Sequence, residues 1–119
     1  MKLNEVLLET MVTRLLKMCR DELGLTKIPK IRLITDQPTV GGGASFGEFT
    51  DNGIEVITAN RHPMDVMRTI AHELVHYKQR MDGEDMDGSD GSDIENDANA
   101  IAGVIMRRFG KTHPECFTL

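Results

Sequence analysis

The chain has 119 residues, enough for a single domain over residues 1–119 with a modest core, but too few for two lobes around a deep cleft. Its formal net charge of -5 is unevenly spread, because residues 82–97 hold eight of the nineteen acidic side chains and no Lys or Arg. The other fourteen basic and eleven acidic residues nearly balance, which gives neither a nucleic-acid-binding nor a membrane-binding profile. The chain has no apolar run long enough to span a membrane, and Glu5 and Glu9 lie where a secretory segment would be apolar. We therefore expect a cytoplasmic protein.

Residues 2–23 are predicted to form an amphipathic helix, because apolar side chains recur there at steps of three and four residues. Gly24 directly follows the last of them and predicts the end of the helix. Cys19 belongs to the apolar stripe, which favours a packed, unreactive thiol, and with Cys116 it does not make a disulfide framework. The stripe consists of Leu3, Val6, Leu7, Met11, Val12, Leu15, Leu16, Cys19 and Leu23.

Three short strands are predicted after this helix. The branched residues 31–34 form the first. Residues 44–49 and 54–58 flank Asp51-Asn52-Gly53, and Asn-Gly between extended runs is typical of an antiparallel hairpin. The earlier hairpin strand is rich in glycine, which suits an edge strand along which an extended peptide could lie. A twisted or bulged strand is the alternative.

A second helix is predicted to begin at Pro63, a residue tolerated in the first helical turn, with Asp65 near the positive end of the helix dipole. His62 directly precedes it and is interpreted as a structural residue at the helix boundary. The predicted buried stripe of this helix comprises Met67, Ile70, Ala71, Leu74 and Val75.

An acidic loop over residues 82–92 leads to a third helix, predicted over residues 93–109 with Gly110 as its end. The loop fails the EF-hand spacing, so a solvated loop is favoured, and a looser calcium site remains as the alternative. Ser92 and Glu95 fit a capping box at the start of the third helix. The apolar positions of this helix are Ile94, Ala98, Ile101, Ala102, Ile105 and Met106.

The stretch His72-Glu73-Leu74-Val75-His76 carries the chemically most demanding side chains of the chain. Residues i and i+4 of a helix lie one above the other, so His72 and His76 would present two imidazoles to one point. This pair is a chelate for zinc, which binds imidazole nitrogen and prefers tetrahedral geometry. Glu73 lies about 100° further round the helix, beside such a metal, where it can take a proton from water. The alternative is an ordinary amphipathic helix with two half-buried histidines.

A catalytic zinc usually has three protein ligands, so a third ligand is needed downstream. The candidates are Glu95, Asp97, His113 and the acids of the loop. Glu95 is the best of them, because the helix that it opens must return antiparallel to the second helix and brings its first turn back over the two histidines. Its capping-box role competes with ligation, since a carboxylate that binds zinc is less free to reach the Ser92 amide.

The HELVH motif followed by Glu95-Asn96-Asp97-Ala98-Asn99-Ala100-Ile101-Ala102 resembles the glutamate zincins, and most closely the minigluzincins and the ImmA/IrrE-type metallopeptidase domains. The resemblance covers about residues 31–109. It implies an α+β, zincin-like fold: an N-terminal helix, a small three-stranded twisted sheet with an antiparallel hairpin, an active-site helix and an antiparallel glutamate helix. It also implies His72, His76 and Glu95 as ligands of one catalytic Zn²⁺ and Glu73 as the general base. Asn99, one turn beyond Glu95, is a candidate for orienting a ligand imidazole.

These features predict a zinc metalloendopeptidase that acts on a protein or peptide substrate, with no nucleic-acid or membrane partner. Zinc would lower the pKa of water and polarise the scissile carbonyl, while Glu73 would accept the proton and pass it to the leaving amine. No residue clearly fills the oxyanion-stabilising role of larger gluzincins. Tyr77 is expected to point away from His76, which leaves the substitutes His113, Arg107 and Arg108.

Other functions remain open at this point. A zinc-containing binding or regulatory module would keep the metal without activity, and a helical interaction domain would lack the metal. A SprT-like metallopeptidase is disfavoured, because its third ligand is expected to be a His and none lies between residues 77 and 112.

The C-terminal tail, residues 110–119, introduces a further alternative. When extended, it is long enough to bring Cys116, Glu115 or the terminal carboxylate back to the zinc as a blocking ligand, which would make the enzyme latent. A disordered or surface-packed tail is the alternative.

Overall fold

The computed structural model describes residues 3–36, 46–50, 53–83 and 93–115, with side chains from Leu7 onward. These residues form the predicted α+β arrangement, with three helices and a small three-stranded sheet. No helix within these ranges is long and apolar enough to cross a membrane. The elements are α1 (Leu3–Leu23), β1 (Ile31–Ile34), β2 (Gly47–Thr50), β3 (Gly53–Ile57), α2 (Pro63–Met81) and α3 (Asp93–Thr112).

The first helix ends where the sequence predicts. Gly24 has a φ of 65°, a left-handed conformation that glycine adopts without steric cost. The Leu25 amide donates to the Arg20 carbonyl at 3.0 Å, which is the long hydrogen bond of a Schellman motif. Leu25 itself is buried in the core, so the glycine turns the chain directly into apolar packing.

The sheet is mixed and has the strand order β1-β3-β2. β2 and β3 form the predicted antiparallel hairpin, in which Thr50 pairs with Gly53. β1 pairs in parallel with β3, with Ile31 opposite Ile54. β2 therefore lies at one edge of the sheet, as predicted for the glycine-rich strand. Residues 44, 45, 51 and 52, which the predicted hairpin includes, lie outside the described part of the chain.

Gly53 allows β3 to start close to the end of the loop before β1. Its φ of 110° is unfavourable for other residues, and a Cβ at this position would collide with the Lys30 carbonyl. That carbonyl accepts a hydrogen bond from the Ile54 amide at 2.8 Å, so the close approach is part of the pairing between the two strands.

The helices and one face of the sheet share a hydrophobic core. Ile54 and Val56 of β3 are fully buried in it, whereas Glu55 between them points to the other face and contacts Arg32 at 2.9 Å. The stripe predicted for α2 is buried in full, which confirms the helical period of that segment. Its members are Met67, Ile70, Ala71, Leu74 and Val75, and Val66 and Gln79 are buried with them.

The third helix is longer than predicted, because it continues through Gly110 to Thr112. Gly110 is buried, and packing there outweighs the helix-propensity cost of a glycine, which is about 1 kcal/mol relative to alanine. The helix ends before Pro114, which disfavours a helical conformation of the residue preceding it. Ile101 is 40% exposed, contrary to the predicted stripe. The buried face consists of Ile94, Ala98, Ala102, Ile105, Met106, Phe109 and Gly110.

Candidate metal centre

Helix α2 carries the first two groups of the site. His62 caps its N-terminus: the Met64 amide donates to His62 Nδ1 at 3.0 Å, and Pro63 follows in the first turn. His62 thus lies at the helix boundary, as predicted. Further along the helix, His72 and His76 are one turn apart on the same face, with ring centroids 4.5 Å apart and ring planes at 87°.

Helix α3 brings its first turns to this face of α2. His76 contacts Glu95 in the first turn of α3, and His72 forms a side-chain hydrogen bond with Asn99, one turn further on. The later residue of α3, Asn99, thus contacts the earlier residue of α2, His72. The two helices therefore run antiparallel, as the sequence predicts. The predicted partnership of Asn99 with a site imidazole is also present.

Ligand atoms of three side chains converge between the two helices. His72 Nε2 lies 2.9 Å from one carboxylate oxygen of Glu95, His76 Nε2 lies 3.0 Å from the other, and the two Nε2 atoms are 3.0 Å apart. With metal–ligand bonds of about 2.0 to 2.1 Å, the donor atoms of a tetrahedral site lie about 3.3 Å apart, close to these distances. His72, His76 and Glu95 could therefore hold a metal ion.

The electrostatic environment favours the metal-binding form of His72. Burial lowers the pKa of this imidazole, and the neighbouring His76 lowers it further. The Glu95 charge and the hydrogen bonds that His72 makes with Asn99 and Glu95 act in the opposite direction without reversing the shift. The neutral imidazole, which has a lone pair for a metal, is thus favoured.

Glu73 lies between α2 and β2, next to the cluster. A Cβ on Gly47 would come within 3.4 Å of Glu73 Oε1, so the backbone of β2 passes close to this carboxylate. Burial raises the pKa of Glu73; the His76 charge opposes the shift, and the charges of Glu95 and Glu48 add to it. The structure therefore combines a triad that could hold a metal ion with a neighbouring carboxylate whose affinity for protons is increased.

A cleft of about 550 Å³ opens beside these groups. Its walls come from the start of β2, residues 60–62 before α2, the first half of α2 and the first turns of α3. The lining includes Phe46, Gly47, Thr69, His72, Glu73 and Asn99. A ligand in this cleft would thus be in reach of His72 and Glu73.

Arg61 stabilises the wall of the cleft and was not identified from the sequence. Its guanidinium donates to the carbonyls of Ile57 and Asp65 at 2.8 and 3.0 Å and to Thr69 Oγ1 at 2.7 Å. It also lies 4.5 Å above the Phe46 ring. Burial lowers the pKa of Arg61, although Asp65 acts against the shift. These contacts connect the end of β3, the start of α2 and the residue before β2.

Gln79 is a second residue that the sequence analysis missed. Its side chain is 4% exposed, with Oε1 2.8 Å from His76 Nδ1 and Nε2 donating to the Ile94 carbonyl at 3.0 Å. The sequence feature that indicates this contact is the position of Gln79 three residues after His76, because residues i and i+3 lie on the same side of a helix.

The other candidates for the site contact different parts of the molecule. Asp97 is exposed and is not in the cluster, and Arg107 lies about 18 Å from Glu95 along α3. The remaining candidates have partners elsewhere: Tyr77 stacks on Phe49, Arg108 contacts Glu22 of α1 and His113 stacks on Phe109.

Part of the predicted tail and loop can be located. Glu115 lies 3.5 Å from Arg14 of α1. Cys116 and the terminal carboxylate lie outside the described residues, as do residues 84–92 with the alternative calcium site and the Ser92 capping box.

No protein-family model matches the chain, and neither a curated protein nor a solved structure matches it. The resemblance to the glutamate zincins therefore rests on the motif residues themselves.

Proposed function

We propose that the protein is a zinc-dependent metallopeptidase of the small gluzincin type, similar to the minigluzincins and the ImmA/IrrE-type domains. The observation that carries this proposal is the convergence of His72, His76 and Glu95 on one point, with Glu73 beside them. Two imidazole nitrogens and one carboxylate oxygen are typical of catalytic zinc, whereas calcium and magnesium prefer oxygen ligands alone. A set of three protein ligands is also typical of catalytic rather than structural zinc sites.

Glu73 is the proposed proton-transfer group. Zinc held by the triad would supply a Lewis acid that polarises a peptide carbonyl and lowers the pKa of water. The Glu73 carboxylate accepts a proton from the attacking water and donates it to the leaving amine. A general base is most effective when its pKa lies near the working pH, and burial shifts the pKa of Glu73 upward, in that direction.

The start of β2, beside the cleft, is the proposed binding surface for an extended peptide. β2 is an outer strand of the sheet that the described residues form. Gly47 at its start lies against Thr69 and Glu73. A peptide lying in the cleft along this strand would therefore run beside the proton-transfer group.

The variant Glu73→Gln tests the proposal, because it keeps the size of the side chain and removes the base. We expect it to bind zinc as the wild type does, about one ion per chain, but to hydrolyse a mixed-sequence peptide library at least about 100-fold more slowly. Glu55→Gln, the same change on the outer face of the sheet, is the matched control and should retain activity. Undiminished hydrolysis by Glu73→Gln would overturn the peptidase proposal.

A zinc-containing binding or regulatory module is the second candidate. Three side chains considered for stabilising the oxyanion contact other side chains and do not line the cleft, which favours a metal site without peptidase activity. These are Tyr77, Arg108 and His113. Under this alternative the wild type would contain zinc, and its hydrolysis of the library would equal the background of Glu73→Gln. Absence of zinc binding in the wild type would point instead to an interaction domain without metal.

A further inference from the structure

We infer that Gln79 is a positioning residue, which holds His76 in the tautomer needed for metal binding and fixes the first turn of α3 beside it. The inference deepens the proposed metal site and rests on it. It concerns a residue outside the ligand set and the proton-transfer group.

The orientation of the Gln79 amide is determined by its second partner. Gln79 Nε2 faces the carbonyl oxygen of Ile94 at 3.0 Å, and a carbonyl oxygen can only accept a hydrogen bond. The NH₂ end of the amide must therefore point to Ile94, which leaves Oε1 facing His76 Nδ1 at 2.8 Å. An amide oxygen cannot donate, so His76 Nδ1 must carry the proton of this hydrogen bond.

This proton decides what the other ring nitrogen can do. A neutral imidazole has a single N–H, so a proton on Nδ1 leaves His76 Nε2 with its lone pair free. That atom lies 3.0 Å from both His72 Nε2 and Glu95 Oε2. His76 Nε2 and Glu95 Oε2 are then both hydrogen-bond acceptors, with no proton between them. A cation bound between the two atoms would stabilise this arrangement. Gln79 thus selects the ligand form of His76.

The same side chain connects the two halves of the site. Ile94 immediately precedes Glu95, so the hydrogen bond from Gln79 fixes the turn that places the Glu95 carboxylate against both histidines. Gln79 is the one polar residue that is buried among the described parts of the chain. Burying an amide is unfavourable unless both ends are hydrogen-bonded, and here both ends have a partner within the site.

Substitutions of Gln79 separate these roles. Gln79→Leu removes both hydrogen bonds at similar volume and is expected to weaken zinc binding by about 10- to 100-fold, measured by competition with a chromophoric chelator. Gln79→Glu keeps an acceptor for the Nδ1 proton but cannot donate to Ile94. We expect it to restore zinc affinity to within about threefold of the wild type while unfolding at a lower urea concentration.

A second measurement determines the tautomer of His76 in the metal-free protein. Nitrogen-15 NMR of the histidine rings at about pH 9, well above the reference His pKa of about 6.5, distinguishes the two N–H positions. His76 should be protonated on Nδ1 in the wild type and in Gln79→Glu, and should show the Nε2 form in Gln79→Leu. Val12→Ala, a cavity variant in α1, controls for lost stability and should leave both readouts unchanged.

Two results would overturn the inference: zinc affinity of Gln79→Leu equal to that of the wild type, or a wild-type His76 protonated on Nε2. A wild type that binds no zinc would refute the proposed function instead. In that case the NMR measurement on the metal-free protein still decides the role of Gln79, since it depends only on the His76 tautomer.

Discussion

Zinc is expected to stabilise the fold, because its proposed ligands come from two different helices and are brought together only in the native state. His76 and Glu95 are 19 residues apart in sequence. A ligand that binds only the native state adds about 2.7 kcal/mol at a free concentration of 100 times its Kd. The unfolding entropy is about 2.1 cal/mol/K per residue, or about 0.25 kcal/mol/K for this chain of 119 residues. The Tm should therefore rise by about 11 °C.

The assay is calorimetric melting of chelator-treated protein in zinc buffers of known free concentration. Each tenfold increase in free zinc above the Kd adds about 1.4 kcal/mol and should raise the Tm by about 5 to 6 °C. This logarithmic dependence distinguishes a specific site from weak binding to exposed acidic groups, for which the Tm would respond only at high metal concentration.

Glu95→Gln provides the decisive comparison. The variant keeps the size of the side chain but loses the anionic donor, so most of the zinc-dependent rise in Tm should disappear. Glu22→Gln, in which the altered carboxylate contacts Arg108 on a different part of the molecule, should keep the full rise. An equal zinc response in Glu95→Gln and the wild type would refute the assignment of Glu95 as a ligand, and a wild type without any response would refute the metal site.

Further outcomes depend on packing and burial. Gly47→Ala should lower the free energy of unfolding by about 1 to 3 kcal/mol in urea denaturation, because the new Cβ would lie 2.7 Å from Thr69 Cγ2; unchanged stability would contradict this. Glu73→Gln should raise the Tm of the metal-free protein more at pH 8 than at pH 4. Burial raises the pKa of Glu73, so the stability contributed by the protonated carboxyl is present below its unfolded pKa and is lost as the pH rises through its folded pKa; an equal rise at both pH values would disprove the effect. Burial also raises the pKa of Cys19 to about 12, so this thiol should react with a thiol reagent at pH 8 only after unfolding, and rapid labelling of the native protein would contradict its inert role.

The local half of the site could be predicted from the sequence, because helical geometry alone fixes it. His72 and His76 are four residues apart, and the buried stripe of α2 follows from the same period. Glu95 required more, namely a third helix returning antiparallel, and the contacts of Glu95 with both imidazoles agree with that expectation. The role of Glu95 as a zinc ligand and the role of Glu73 in catalysis remain predictions.

The missed features depend on contacts between distant segments. A glutamine within a helix looks like any surface residue in a sequence, and Gln79 is buried only because the start of α3 packs against the end of α2. Similarly, Gly110 continues α3 because it is buried, although its local preference is to end a helix. The parallel pairing of β1 with β3 was also not predicted, since the pattern of a four-residue strand does not specify its partner.

Gly47 connects the sheet to the proposed chemistry. Thr69 cannot easily turn away from an added Cβ at this position, because its hydroxyl donates to the Asp65 carbonyl at 3.0 Å and accepts from Arg61 at 2.7 Å. A glycine is therefore what allows β2 to lie against α2 at this point, and the approach covers the Glu73 carboxylate. Burial is the main cause of the raised pKa of Glu73, so the smallest side chain on the edge strand contributes to the basicity that the proposed mechanism requires. The glycine that suits an edge strand thus also contributes to the environment of the proposed proton-transfer group.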